Sequence, residues 1–326
     1  MDKQLLNKLQ DQVTQQLEEF SFGNEPKELY EPIRYILKLG GKRLRPILCI
    51  LTAKLFTDDY QKAIAPSLAI EIFHNFTLMH DDIMDEAPLR RGQTTVHEKW
   101  NQNIAILSGD VMMVRAYDAL MSLEPELFKP AIQKFNRCAA EVCEGQQYDM
   151  NFEKLDFVTA DEYINMIRLK TAVLLGFSQE LGAIIGGATN KQQELIQEFG
   201  TLIGIGFQLK DDLLDVYGEQ AKVGKQIGGD IISNKKTYLL IKALELAKGD
   251  QLIELNDWLT KGDFSNKEKV EAVTSIYNDL GIKVLSEELM QSYFDQAFEK
   301  LAVLDVAGTR KKELIDFTQF LISRDH

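Results

Sequence analysis

The chain has 326 residues, of which 45% are hydrophobic and 27% are charged, so it carries enough apolar side chains for a large core. A formal net charge of −13 disfavours nonspecific binding to nucleic acid, because such binding needs a basic surface. No linker rich in Pro, Gly or Ser divides the sequence, and we therefore predict a single domain over residues 1–326.

The N-terminal residues and the cysteines are those expected of a cytoplasmic protein. Met1–Leu5 lacks the basic and then apolar pattern of a secretory signal, and no stretch reaches about 18 uninterrupted apolar residues. Cys49, Cys138 and Cys143 are odd in number and lack the spacing of a zinc site. We therefore expect a cytoplasmic protein with reduced thiols, no transmembrane segment and no nucleic-acid partner.

Apolar residues recur with helical spacing along nearly the whole chain, and convincing strand alternation is absent. All seven prolines lie at or before Pro130, which favours continuous helices in the rest of the chain. Asp161 and Asn190 are predicted N-cap residues, and we predict an all-α helical bundle with sites on facing helices. The predicted helices cover 3–20, 26–39, 43–57, 62–85, 103–123, 125–152, 159–187, 191–217, 235–248, 250–260, 266–281, 283–303 and 309–323.

The first motif along the chain is Gly40–Pro46 (Gly-Gly-Lys-Arg-Leu-Arg-Pro). Its two glycines free the backbone for close approach, and three cations follow within four positions. Arginine forks and lysine point charges both suit phosphate oxygens. The motif predicts either a phosphate site or a helix C-cap followed by an ordinary basic turn.

Two acidic clusters have the same spacing: Asp81–Asp85 (Asp-Asp-Ile-Met-Asp) and Asp211–Asp215 (Asp-Asp-Leu-Leu-Asp). Positions i and i+4 of a helix lie on one face, so the first and last aspartates of each cluster project together. A solvated acidic face is the ordinary alternative, but both clusters end nearly apolar stretches, where unpaired carboxylates are unfavourable. Because Mg²⁺ takes carboxylate oxygens together with waters and phosphates, the clusters predict a multi-metal site for a diphosphate.

Arg90 and Arg91 follow shortly after the first acidic cluster. Two adjacent arginines can hold two different anions, one for each side chain. His74 lies seven residues before Asp81, on about the same helical face. It is interpreted either as a core histidine or as a substrate contact.

Two basic groups occur later in the chain. Lys170-Thr171 interrupts an otherwise apolar helix, where the lysine is either buried with a partner or part of a polar stripe. The glycine-rich segment 224–230, with Lys235 after it, lacks both common nucleotide-binding glycine spacings. It remains suited to closing over phosphates. Gly204 and Gly206, in mid-helix, are expected to admit a close neighbour or a substrate.

Together these motifs closely resemble those of the trans-isoprenyl diphosphate synthase family. The matches run in the expected order from residue 40 to about 236, and their joint occurrence is highly specific. They comprise Gly40–Pro46, Asp81–Asp85, Leu89–Gly92, Lys170-Thr171, Phe207–Asp215 and 224–230.

The resemblance implies an isoprenoid synthase fold around a deep central cavity, usually as a homodimer. It implies sequential 1′–4 condensation of isopentenyl diphosphate with an allylic diphosphate (dimethylallyl, geranyl or farnesyl). The expected cofactor is Mg²⁺, with three ions in each active site. The proton lost in the condensation would pass to the released diphosphate.

The resemblance also implies residue roles. Mg²⁺ would be bound by Asp81, Asp85 and Asp211. Metal-bound waters and basic side chains would be oriented by Asp82, Asp212 and Asp215. The allylic diphosphate would be held by Arg90, Lys170, Gln208, Lys225 and Lys235. Isopentenyl diphosphate would be held by Lys42, Arg45, His74 and Arg91. The carbocation left by C–O ionisation would be stabilised by the Lys170 carbonyl, Thr171 and Gln208.

Product length in this family depends partly on residues just before the first aspartate motif. Phe76 lies five residues before Asp81, about 7.5 Å along the helix, where its ring could form the floor of the cavity. Thr77 is small, and this pattern resembles archaeal geranylgeranyl diphosphate synthases. We predict a C20 product, with C15 as the first alternative and longer chains as the second. If Phe76 merely packs in the core, this argument fails.

Three other classes remain as alternatives. A terpene cyclase also uses aspartate-rich helices and Mg²⁺, but it needs no second diphosphate site. A non-catalytic partner subunit would lack some of the aspartates or arginines, whereas all are present here. A helical scaffold without enzymatic activity would leave both acidic clusters unexplained.

Overall fold

The computed structural model describes residues 3–218 and 228–323 and is all-α, as predicted. Helical turns at Tyr60–Ala63 (3₁₀) and Arg168–Ala172 (π) accompany the α-helices. In chain order, the α-helices of these residues are α1 (Lys3–Glu19), α2 (Lys27–Lys38), α3 (Leu44–Phe56), α4 (Ile64–Met84), α5 (Val96–Lys99), α6 (Gln102–Leu120), α7 (Pro125–Glu153), α8 (Ala160–Ile167), α9 (Val173–Ile185), α10 (Asn190–Tyr217), α11 (Gly229–Ile232), α12 (Tyr238–Leu246), α13 (Asp250–Thr260), α14 (Asn266–Asp279), α15 (Ile282–Ala302) and α16 (Gly308–Ser323).

A short antiparallel ribbon departs from the predicted absence of strands. Strand β1 (Leu89–Arg90) pairs with β2 (Gln93–Thr94). Two residues per strand are too few to show alternation, so the sequence pattern gave no signal for it. The ribbon depends instead on a two-residue turn, Arg91-Gly92, in which both φ angles are positive (53° and 74°). This is the backbone of a type I′ hairpin turn.

Two compact units interleave along the chain. The first comprises Met1–Asn136, Phe177–Glu194 and Asp305–Phe317, and the second comprises Arg137–Gly176, Leu195–Leu304 and Thr318–His326. The single domain over residues 1–326 stays a prediction. No helix of the described residues is long and apolar enough to cross a membrane.

In the first unit, α4 packs against α3 and α6 and is buried along most of its length. Gly109 on α6 leaves the space that the His80 ring fills, since a Cβ there would overlap the ring. The phenyl ring of Phe135 lies 5.3 Å from that of Phe73, between ring centroids, with its edge to the face. Such pairs stabilise a core beyond the burial of their area. This packing fixes the helix that carries His74 and the first acidic cluster.

In the second unit, α10 comes very close to two neighbours. A Cβ at Gly204 would lie 2.6 Å from Cα of Ala172, and a Cβ at Gly206 would overlap the ring of Phe294. The expectation that these glycines admit a close neighbour is therefore confirmed. The close approach places the Lys170-Thr171 turn beside α10.

The predicted N-caps are wrong by one or two residues. Thr159 caps α8, because its hydroxyl accepts from the Glu162 amide and Glu162 accepts from the Thr159 amide. Thr189 and Gln192 form the same reciprocal pair before α10, at 3.4 and 2.9 Å. Both are capping boxes, which satisfy two amide donors at once. Asp161 and Asn190 therefore lie inside the first turn.

Candidate active site

The Gly40–Pro46 motif borders a cavity of about 490 Å³ in the first unit. Three of its basic side chains are those predicted to hold isopentenyl diphosphate, Lys42, Arg45 and Arg91. A cavity with this much positive charge in a chain of net charge −13 favours an anionic ligand. The residues that line it are Gly41, Lys42, Arg43, Leu44, Arg45, Glu71, His74 and Arg91.

Arg43 turns inward and has a structural role. Its Nη1 donates to Oε1 of Glu71 at 2.5 Å, and its Nη2 donates to the Leu37 carbonyl at 2.8 Å. Both partners of the ion pair are 5% exposed, and Asn75 Nδ2 also donates to Glu71 Oε1. Glu71 therefore neutralises Arg43, so the charge of Arg43 is balanced within the protein. Sequence reasoning missed Glu71, although a carboxylate within the apolar part of α4 was a signal.

His74 is a neutral member of this cavity. Burial lowers the pKa of its imidazole well below the usual value, and the charges of Arg45 and Arg91 lower it further. Nη1 of Arg45 lies 3.2 Å from Nε2 of His74. Because a guanidinium only donates, Nε2 must accept, which places the proton on Nδ1. His74 thus holds the Arg45 side chain at the cavity without adding charge.

The β1–β2 ribbon directs its two arginines to different partners. Arg91 donates to the Gly40 carbonyl at the rim of the cavity. Arg90 donates twice to Oδ1 of Asp82, from Nε at 2.9 Å and from Nη2 at 2.5 Å. Asp82 is 2% exposed, and burial raises its pKa although Arg90 opposes the shift. The arginine pair thus divides between an anion cavity and the first acidic cluster.

The first acidic cluster lies at the C-terminal end of α4. Asp85 is the C-cap residue in helical conformation, and its amide donates to the Asp81 carbonyl at 2.8 Å. The two carboxylates therefore share a face, as predicted, with Asp81 half-buried and Asp85 exposed. The helix macrodipole is negative at this end, so it adds to their mutual repulsion. Both effects favour a bound cation.

These donors suit Mg²⁺. Among the residues that the structure describes, no three Asp, Glu, His or Cys side chains converge into a closed metal site. Mg²⁺ does not need one, because it is usually held by one or two carboxylates with waters and substrate phosphates. Asp85 and Asp211 are both accessible to such additional ligands. The donor chemistry of each acidic cluster therefore fits Mg²⁺.

In the second unit, Lys170 lies on the π turn Arg168–Ala172. Its Nζ donates to Oδ2 of Asp149 at 2.6 Å, with both side chains mostly buried. Gly145 allows this approach, because a Cβ there would lie 2.6 Å from Cα of Lys170. Lys170 is therefore a mostly buried lysine with an acidic partner, which was one of the two interpretations of its sequence. Sequence reasoning missed Asp149, which lies among other acids on α7.

A chain of hydrogen bonds connects the next predicted residues. Thr171 Oγ1 donates to Gln208 Oε1 at 3.1 Å, and Gln208 Nε2 donates to Asp212 Oδ1 at 3.1 Å. The hydroxyl of Tyr163 donates to the other oxygen of Asp212. Burial, aided by the charge of Asp230, raises the pKa of Asp212 to about 7 although both donors oppose the shift. Tyr163 was missed, because only the folded chain brings α8 against α10.

The rest of the second acidic cluster divides into two environments. Asp211 is exposed. Asp215 accepts the Asp230 amide on Oδ2 at 3.0 Å, while its carbonyl accepts the Gly228 amide at 2.7 Å. It thereby holds the start of α11. Lys235 is exposed after α11, and its charge lowers the pKa of Asp212, so the two lie close enough to interact. The predicted Lys225 lies outside the described residues.

Phe76 and Thr77 lie on α4 before the first cluster. The Phe76 ring is half-buried and lies 5.5 Å from the ring of Phe73 and 4.7 Å from that of His80, between centroids. Thr77 donates its hydroxyl to the carbonyl of His74 at 2.8 Å. That bond satisfies the hydroxyl within α4.

Known proteins resemble the chain over nearly its whole length. The polyprenyl synthetase family model matches residues 26–278. A geranylgeranyl pyrophosphate synthase of Geoglobus acetivorans is 39% identical over 316 residues, 96% of either protein. A geranylgeranyl diphosphate synthase of Methanosarcina mazei is 37% identical, over 92% of this chain and 91% of that protein. A crystal structure of a geranylgeranyl pyrophosphate synthase, 42% identical, superposes with a TM-score of 0.94 over 98% of each chain. The chain belongs to the polyprenyl synthetase family.

Membership defines the reaction class. The protein is a prenyltransferase of isoprenoid biosynthesis, as the motifs predicted. Enzymes of the family use isopentenyl and allylic diphosphates and are generally Mg²⁺-dependent. The assignment of roles to individual residues stays a prediction.

Proposed function

We propose that this prenyltransferase condenses isopentenyl diphosphate with an allylic diphosphate and releases all-trans geranylgeranyl diphosphate (C20). The observation that supports this proposal most is the cationic cavity beside His74, whose lining includes neither acidic cluster. A condensing enzyme needs such a site for its second diphosphate, whereas a cyclase does not. Relatives named geranylgeranyl diphosphate synthase support the product length.

The proposed cavity occupant is the diphosphate of isopentenyl diphosphate. Lys42, Arg45 and Arg91 would carry its charge, and His74 would keep Arg45 in place as a neutral acceptor. A guanidinium group can donate two parallel hydrogen bonds to diphosphate oxygens, which fixes the orientation of the diphosphate as well as balancing its charge. A fixed orientation matters here, because the double bond must attack the allylic carbon from a defined distance.

The proposed allylic site uses the remaining cations and the Gln208 chain. Arg90, Lys170, Lys225 and Lys235 would hold the allylic diphosphate, with three Mg²⁺ bound by Asp81, Asp85 and Asp211. When bound, Mg²⁺ stabilises the charge of the departing diphosphate. Asp82 accepts hydrogen bonds from Arg90, and Asp212 accepts one from Gln208, so these aspartates would orient two of the proposed substrate contacts. Asp215 would act indirectly, because it holds the start of α11.

Bond changes in the condensation need few protein groups. The allylic C–O bond breaks and its electron pair leaves with the diphosphate. The Lys170 carbonyl, the Thr171 hydroxyl and Gln208 are dipoles that would stabilise the allylic cation. The double bond of isopentenyl diphosphate then forms the new C–C bond, and the released diphosphate takes the proton that is lost.

We propose a homodimer as the working assembly. Leu107, Val114 and Met121 recur at seven-residue intervals along α6 and at its C-cap, and each is more than half exposed. Such a spacing forms one apolar stripe, which is suited to packing against the same stripe of a second copy.

The test is a product analysis. The protein is supplied with isopentenyl and farnesyl diphosphates and Mg²⁺, with a second sample in EDTA, and the chain length of the products is measured. A C20 product that EDTA abolishes is expected. Chains far beyond C20, or a C15 limit with geranyl diphosphate as primer, would contradict the proposed product. No condensation with any primer would contradict the proposed reaction.

Phe76→Ala tests the proposed cavity floor. Removing the ring opens space about 7.5 Å along α4 from Asp81, so the product distribution should shift beyond C20. Phe20→Ala, which removes a phenyl ring far along the chain from α4, is the control and should leave product length unchanged. An unchanged distribution for Phe76→Ala, measured in the same assay, would mean that this ring does not limit chain growth.

A further inference from the structure

Lys269 on α14 is a buried lysine that the proposed chemistry does not use. It is 1% exposed, and burial lowers the pKa of its ammonium. Its Nζ donates to Oδ1 of Asn234 at 2.6 Å and to the carbonyl of Ile232 at 3.2 Å, and it lies 4.4 Å from the ring centroid of Phe264. All three of these groups are neutral. Burying an ammonium among neutral groups is unfavourable, so Lys269 is a costly way merely to fill the core.

A role for Lys269 follows from what it holds. Asn234 has a φ of +56°, the left-handed conformation that asparagine tolerates better than most residues. Both polar atoms of its side-chain amide are hydrogen-bonded: Nδ2 donates to the Leu259 carbonyl at 2.9 Å, and Oδ1 accepts from Lys269. The amide of the same residue donates to the Ile231 carbonyl. Asn234 is therefore fixed in backbone and side chain.

The residue after this fixed point is Lys235. Its amide donates to the Asp230 carbonyl at 2.8 Å, and its carbonyl accepts the Thr237 amide at 2.8 Å. The turn is fixed at its other end by Asp215, through the Gly228 and Asp230 amides. The exposed Lys235 side chain thus starts from a backbone held on both sides, near enough to Asp212 to lower its pKa.

We propose that Lys269 is a positioning residue for allylic diphosphate binding: by holding Asn234 it directs the ammonium of Lys235 toward the diphosphate. This inference rests on the proposed function. Lys269 also caps the C-terminal carbonyl of Ile232 in α11, where a positive charge is favourable. A flexible lysine binds a diphosphate weakly unless its backbone is already placed, because ordering it upon binding opposes affinity.

The first experiment compares steady-state kinetics of Lys269→Met with the wild type. Methionine keeps the length and apolar stem but donates no hydrogen bond. We expect the KM for the allylic diphosphate to rise about tenfold, as for the loss of one hydrogen bond to a charged group. The KM for isopentenyl diphosphate should not change, because its proposed cavity contains none of the groups that Lys269 contacts. Lys267→Met on the same helix, where the lysine is 82% exposed, is the matched control.

A double-mutant cycle shows whether the effect passes through Lys235. Lys269→Met added to Lys235→Met should raise the allylic KM no further, because the directed side chain is already gone. A full additional increase would overturn the proposal, and so would an unchanged allylic KM in the single variant. Equal losses for both substrates would indicate a general structural role and would also overturn it.

Asn234→Gly provides the same test if Lys269→Met does not fold. Glycine adopts the positive φ freely but offers nothing for Lys269 to hold. The expected result is the same selective rise in allylic KM, and its absence would count against the proposal. If the wild type itself shows no condensation, the proposed function fails, whereas an active wild type with unaffected variants refutes only this inference.

Discussion

Arg91 occupies a backbone conformation that most residues avoid. Its φ of +53° lies in the left-handed region, at a type I′ position where Asn, Asp or Gly is favoured. A non-glycine residue there is destabilised by about 1 kcal/mol. Arg43, on the same cavity, has a φ of +50° and makes its inward ion pair from it. Strained residues of this kind tend to cluster at functional sites.

Substitution of Arg91 by glycine should affect folding stability and substrate binding differently. Arg91→Gly should leave the melting temperature unchanged or slightly higher, because glycine adopts this conformation readily. The KM for isopentenyl diphosphate should rise at least about tenfold with the loss of a charged donor. Thermal unfolding and steady-state kinetics measure the two effects. A variant with normal KM would show that Arg91 does not bind the substrate.

Asp212 makes stability depend on pH. Its folded pKa of about 7 lies above the usual value, so at intermediate pH the folded state binds a proton that the unfolded state does not. Stability from this group is therefore present at low pH and decreases as pH rises through about 7.

Asp212→Asn should remove this part of the pH dependence, because an amide does not titrate. The measurement is denaturant unfolding in EDTA between about pH 5.5 and pH 8, where the wild type should lose more stability than the variant. Asp279→Asn, which removes an exposed carboxylate on α14, is the control and should keep the wild-type slope. Equal slopes for all three proteins would contradict the raised pKa.

Sequence periodicity did not reveal an irregular turn within the predicted helix 159–187. The segment consists of α8, a π turn at Arg168–Ala172 and α9. A π turn adds one residue to a helical turn, and it often occurs at functional sites. Here it contains Lys170 and Thr171, so the irregular turn and the predicted substrate contacts coincide. Apolar spacing cannot reveal it, since the flanking helices keep the helical period.

Gly145 is the α7 residue that admits this turn. Gly145→Ala places a Cβ against the backbone of Lys170, and backbone cannot move aside as a side chain does. We expect a loss of about 1–3 kcal/mol in unfolding free energy together with weaker allylic binding, because Lys170 is displaced. Gly262→Ala, where a Cβ meets nothing within 4 Å, is the control. If Gly145→Ala has wild-type stability and kinetics, α7 and the π turn can move apart without a measurable loss of unfolding free energy.

At the scale of the whole molecule, the apolar stripe of α6 determines the expected assembly. Leu107→Glu combined with Val114→Glu would place two carboxylates in a proposed apolar interface, where unpaired charges are strongly unfavourable. Light scattering should then show the mass of a monomer instead of twice the chain mass of 37.1 kDa. Val303→Glu, at a more exposed valine outside the stripe, should keep the wild-type mass. A double variant that remains dimeric would place the interface elsewhere.

The sequence alone determined the class of fold and the family. Helical periodicity is local, so it located most helices to within a few residues and placed Asp81 and Asp85 on one face. Motif spacing is also readable without a structure, and it indicated the reaction class that the family comparison confirmed.

Only the tertiary structure decided which charges are structural and which face a cavity. Arg43 and Arg45 look equivalent in the motif, yet Arg43 pairs with Glu71, 28 residues away, while Arg45 lines the cavity. Tyr163 meets Asp212 across 49 residues of sequence. Such partners follow from helix packing, which depends on the whole chain, and a polar side chain carries no local mark of its distant partner.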